Sequence, residues 1–211
     1  MTKLKIAKAI SILSILIGIL VMIGWYLDIV VLTSILPQWI RMKVATAICF
    51  IFAGIITFSL TINDEAKQDI RQTILIIFPI LLILIMGTLF FGSIFGFQTG
   101  MENASFIDRH EIATPIFQGR PSVATMVCFI LIAMIGFLSS VNRNTKKIFI
   151  IIGSAVGTIG TIGIVGYIAE IPYLYYEIPN FSNAIAIHTT ILFSLLGLAI
   201  FLIGKDMTDP D

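Results

Sequence analysis

The sequence predicts an all-α, polytopic membrane protein, with six transmembrane helices arranged as three tandem helical hairpins in a single domain covering residues 1–211. Three observations carry that expectation. Hydrophobic residues make up 58% of the chain and charged residues 12%, with a mean hydropathy of +1.04, a composition outside the range of soluble domains. Six apolar runs of roughly 19–24 residues match a hydrocarbon core of about 30 Å at about 1.5 Å per helical residue. Finally, one stretch occurs three times: ATAICFIFAG at 45–54, ATMVCFILIA from Ala124 and HTTILFSLLG from His188.

The spans are expected near 9–27, 44–62, 74–97, 122–141, 148–169 and 184–204, grouped in repeat units of about 9–62, 74–141 and 148–204. The first run follows MTKLKIAK and is longer than the apolar region of a signal peptide. No small-x-small cleavage site follows it, and Gly24-Trp25-Tyr26 supplies an interfacial aromatic anchor, so a retained helix is expected. Within the third span, Pro79 removes a backbone donor and predicts a kink. In the fifth, Gly153, Gly157, Gly160, Gly163 and Gly166 leave one face nearly bare, so another helix should lie against it. The hydroxyls of Thr88, Ser154, Thr158, Thr161 and Ser194 have no neighbouring base in sequence and should bond a carbonyl one turn back.

Each copy of the repeated stretch places a Thr (Thr46, Thr125, Thr189), a Phe four residues on (Phe50, Phe129, Phe193) and a small residue four further (Gly54, Ala133, Gly197) on one helical face. Upstream of each stands a Pro followed two residues later by an aromatic: Pro37 with Trp39, Pro115 with Phe117, Pro179 with Phe181. Gly24, Gly96 and Gly166 close the odd spans, and the Gly-to-Pro distances of 13, 19 and 13 residues show a six-residue insertion in the middle unit. Cys49 and Cys128 hold equivalent positions in the first two copies and read as small packing residues, with a disulfide or shared metal open if their faces meet.

Nine Lys and Arg residues fall in the N-terminal tail, the 63–73 and 142–147 loops and the C-terminal tail, against four (Arg41, Lys43, Arg109, Arg120) on the other side. Both termini are therefore expected in the cytoplasm. A net charge of +1 offers no surface for nucleic acid.

The stretches MKVATAICFIFAGI and GRPSVATMVCFILIAMI resemble a motif of membrane input regions that precede prokaryotic sensor histidine kinases and diguanylate cyclases. The matched residues are Thr46, Cys49, Phe50 and Gly54, then Arg120, Pro121, Thr125, Cys128 and Phe129, then His188, Thr189, Phe193 and Gly197. The resemblance implies a sensory module in the plasma membrane of a prokaryote. After the sixth span the sequence reads only KDMTDPD, so the expectation is that a signal leaves through a partner.

One polar constellation stands out. Arg41, Lys43, Arg120 and His188 lie at the starts of the even spans, and Asp28, Glu170 and Glu177 follow the odd ones. Either the two sets pair across the rim, or the helix N-termini and cations form an outward pocket for an anion or lipid headgroup. The second reading names Arg120, His188, Thr46, Thr125, Thr189 and Lys43 as ligand-binding residues. The loop ENASFIDRHE (102–111) holds Asp108, His110 and Glu111, which read as a solvated acidic loop, and no metal or cofactor is expected. No catalytic pair lies in the middle of any span, so an enzyme is not expected. The function expected is a sensory or regulatory module signalling to a cytoplasmic or membrane partner, with a second copy of the chain left open as a partner. A small carrier or channel, or an accessory subunit of a membrane complex, is the alternative.

Overall fold

A backbone surrounded by lipid must satisfy its own polar groups, and a chain this apolar does so by coiling into helices. The computed structural model describes residues 2–36, 39–62, 64–97, 99–100, 119–141, 145–176, 178 and 182–207. Its helices are α1 (Thr2–Tyr26), a four-residue α2 (Val30–Thr33), α3 (Val44–Leu60), α4 (Gln68–Phe95), α5 (Val123–Val141), α6 (Lys146–Ala169) and α7 (Ile187–Asp206). Two 3-10 turns, Glu65–Lys67 and Pro172–Tyr175, are the other helical elements among the described residues. Among the described residues no strand forms, and the one extended pairing is an isolated bridge between Ile178 and Ser182.

Among the described residues five helices (α1, α4, α5, α6 and α7) are long and apolar enough to cross a membrane, which makes this a membrane protein. The sixth expected span, α3, has 17 residues, about 26 Å of helix and short of a full hydrocarbon core. Helices α1 and α4 start at Thr2 and Gln68, earlier than the apolar runs inside them, because helical hydrogen bonding continues through Lys3, Lys5 and Arg71.

Sequence neighbours pack as antiparallel pairs, α1 with α3, α4 with α5 and α6 with α7. Across the pairs, α1 meets α7, α3 meets α4, α5 meets α6, and α3 also touches α5 and α7. Helices α3, α5 and α7 are therefore inner, each flanked by two of the outer helices α1, α4 and α6. Outer residues such as Leu16, Leu20, Ile77 and Leu84 are exposed, giving the apolar perimeter that lipid covers.

At the centre Phe50, Phe129 and Phe193 are fully buried and mutually in contact, with ring centroids 4.8–4.9 Å apart in tilted and edge-on pairs. Each of the three therefore faces protein. The bare face of α6 does lie on a helix. A Cβ at Gly153 would come within 2.6 Å of the Phe201 nitrogen, and one at Gly197 would overlap the backbone of Gly157. With no apolar driving force between helices in lipid, such close approach supplies the dispersion contacts that hold the pair.

Pro79 stays inside α4, and its ring is accommodated by Gly136 of α5, where a Cβ would come within 2.7 Å of the ring. Thr88, Thr161 and Ser194 bond the carbonyls of Leu84, Gly157 and Thr190 one turn back. Ser154 and Thr158 make no such bond. Cys49 and Cys128 are free, buried thiols.

Candidate functional site

Three short extended segments deliver the chain into the inner helices, and their geometry is alike. The residues preceding α3 and α7, Lys43 and Ala186, have φ/ψ of −68°/149° and −67°/148°. The first helical bonds are equivalent in all three: Ala47 N to Lys43 O at 3.0 Å, Met126 N to Ser122 O at 3.1 Å and Thr190 N to Ala186 O at 3.1 Å. Counted from those caps, Thr46, Thr125 and Thr189 each occupy the third helical position, so the three hydroxyls sit at one level.

The segments are tied down from outside. Met42 donates its N–H to the Thr33 carbonyl at 2.9 Å, and its own carbonyl accepts the Trp25 indole N–H at 2.8 Å. The Arg120 carbonyl accepts from Asn183 Nδ2 at 2.9 Å, and the Val123 N–H donates to Ser182 Oγ at 3.1 Å, which fastens the start of α5 to the segment before α7. Ile185 donates its N–H to the Tyr175 carbonyl at 2.9 Å and accepts from the Tyr167 hydroxyl at 2.7 Å. Below it Tyr176 wedges against α6, its hydroxyl donating to the Ile159 carbonyl at 3.0 Å. Burial, with Cys128 nearby, pushes that phenol up to about 12.

A cavity of about 10 Å³ lies where the three segments meet, the scale of a single water-sized occupant. Its walls include Lys43 and Thr46 from one hairpin, Arg120, Ser122 and Thr125 from the next, and Ala186 and Thr189 from the third. Five of the six residues expected to bind a ligand thus surround one space. The sixth, His188, is half-buried and is not on the wall. One residue before Thr189 is about 100° round the helix, which turns the imidazole away.

Arg120 is 1% exposed, and its Nη2 donates to the Phe97 carbonyl at the end of α4 at 2.6 Å. Gly119, at φ +78°, makes the left-handed turn that brings the chain into this position. Lys43 is 6% exposed, whereas Arg41 lies over the Trp25 ring at 5.7 Å. Among the described residues Asp28 and Glu170 are exposed and pair with no cation, so the rim pairing expected of them is not formed; Glu177 lies outside the described residues. Pro37, Pro115, Phe117, Pro179, Phe181, Asp108, His110 and Glu111 lie outside them too. Among the described residues no group of three or more His, Cys, Asp or Glu comes together.

The caps differ among the three helices. Ser122 Oγ accepts the Thr125 N–H at 3.1 Å and shares a 2.7 Å hydrogen bond with the Thr125 hydroxyl, capping α5. Helices α3 and α7 have no side-chain cap. Ser122 was readable as a helix start, since a Ser three residues before Thr125 precedes an apolar run. Ser182 and Asn183 were not, because the contacts that give them a role cross about 60 residues of chain.

The chain matches no protein-family model, no curated protein and no solved structure. What the fold defines is an all-helical membrane protein, with a small polar cavity at the shared end of its three inner helices.

Proposed function

We propose that the chain is a sensory or regulatory membrane module that takes up an anionic group at its outer face and passes a helix shift to a partner. The observation that supports this is the convergence of Lys43, Thr46, Arg120, Thr125 and Thr189 on one cavity at three helix N-termini. Helix N-termini carry partial positive charge and unpaired donors, and two cations add to that field. In this reading α3 is a sixth span, and the three antiparallel pairs are tandem repeats around the phenylalanine cluster. The Lys and Arg asymmetry supports cytoplasmic termini with the cavity outside, and the resemblance to prokaryotic input regions supports a prokaryotic plasma membrane. A carrier or channel is disfavoured by the three phenylalanine rings, which fill the space between the inner helices one turn beneath the cavity.

The test uses the full chain in liposomes with spin labels at Ile62 and Val141, near the cytoplasmic ends of α3 and α5. Chloride, phosphate or phosphatidylglycerol on the outer side should change the label-to-label distance, and Arg120→Gln should abolish the change. Binding without any distance change would make the anion a structural one and refute signalling. Anion flux into the liposomes would favour a carrier.

A further inference from the structure

The cavity is asymmetric in a way that narrows what it can hold. Ser122 caps α5 and engages Thr125, so one of the three helix starts is satisfied from within the chain. The other two are not. Lys43 and Ala186 supply no side-chain cap to α3 and α7, and the amides of Thr46 and Thr189 have no acceptor among the described residues. Thr46 is 3% exposed and Thr189 2% exposed, both line the cavity, and neither hydroxyl has a hydrogen-bond partner among the described residues. Buried serine and threonine hydroxyls inside helices elsewhere in this chain are bonded to carbonyls, Ser11 and Thr57 to those one turn back and Ser14 to that of Phe50. Thr46 and Thr189 sit in the first turn of their helices, where the carbonyl one turn back belongs to the extended segment. For α3 that carbonyl, on Met42, is taken by Trp25.

What is missing at both places is a hydrogen-bond acceptor. Two amides and two hydroxyls can all donate, and the amides, which can do nothing else, cannot be satisfied by a cation. The space has room for about one water-sized occupant, short of what a phosphate's four oxygens need, and the field of three helix N-termini with Lys43 and Arg120 on the walls favours negative charge over a neutral acceptor. From this we infer that the cavity is a seat for one monatomic anion of the halide class, which caps α3 and α7 together through Thr46 and Thr189. This rests on the anion reading above and deepens it by excluding a lipid headgroup as the occupant. Because one ion would then join the first and third hairpins, its binding stabilises the packing of α3 against α7.

The test is thermal unfolding of the full chain in detergent, titrating sodium chloride or sodium bromide against sodium gluconate at constant ionic strength. The midpoint should rise with halide and saturate, while phosphate and phosphatidylglycerol micelles at matched concentration give no such rise. The double variant Thr46→Val, Thr189→Val keeps side-chain shape and should raise the half-saturating halide concentration about tenfold or more, about 1.4 kcal/mol. If the double variant does not fold, Thr189→Val alone and the anomalous signal of bromide in a crystal decide, with a bromide peak expected between the two threonines. Stabilisation by phosphate or phosphatidylglycerol but not by halide would overturn this inference and leave the broader anion site standing. No dependence on any of these anions would overturn both, the occupant then being a water.

Discussion

Replacing Gly160 with Ala tests whether the closeness of α6 and α7 holds the third hairpin together. A Cβ there would sit 2.5 Å from the Ser194 nitrogen and 2.6 Å from the Thr190 oxygen, both backbone atoms of α7. Ordinary contact begins near 3.5 Å, so the helices must part by roughly 1 Å. A gap of about 0.5–1 Å forfeits a quarter to a half of each contact, worth about 0.1–0.2 kcal/mol per atom pair. Over the several tens of pairs along this interface the loss is on the order of 2–3 kcal/mol, in keeping with measured overpacking. Alanine's better helix propensity returns about 1 kcal/mol, leaving a net destabilisation of about 1–2 kcal/mol. Gly87→Ala is the control, since its Cβ would meet only the Ile83 side chain at 3.8 Å. It should be neutral or stabilising by up to about 1 kcal/mol. Reversible unfolding in mixed micelles, followed by helicity, measures both. Equal stabilities for Gly160→Ala and Gly87→Ala would refute the claim that α6 and α7 are held by backbone contact.

Two further outcomes are expected. Phe50→Ala, Phe129→Ala and Phe193→Ala should each cost about 3 kcal/mol, as large-to-small changes at fully buried aromatics do, and their costs should agree within about 1 kcal/mol if the three positions are equivalent; one that is free of cost on micellar unfolding argues against the repeat. With the buried Cys49 and Cys128 left in place, a membrane-impermeant thiol reagent added to intact cells should label Tyr26→Cys and leave Asp64→Cys untouched, and the reverse pattern would invert the proposed orientation.

Much of the architecture was written locally. The length of the apolar runs fixed helices that can cross a bilayer, because both the hydrocarbon thickness and the helical rise are constants of the medium and the backbone. The four-residue spacing from Thr to Phe put each pair on one face whatever surrounded it. The glycine face of α6 announced a partner for the same reason. The tertiary structure decided what no local rule could: that three such faces meet, so that Phe50, Phe129 and Phe193 touch one another and Thr46, Thr125 and Thr189 share one cavity. It turned His188 away while keeping its neighbour Thr189 on the wall, and it left Asp28 and Glu170 at the surface. It also gave Ser182 a role at the start of α5, about 60 residues away in the chain. Periodicity specifies which residues share a side of one helix, but which sides face each other depends on how all the helices pack at once.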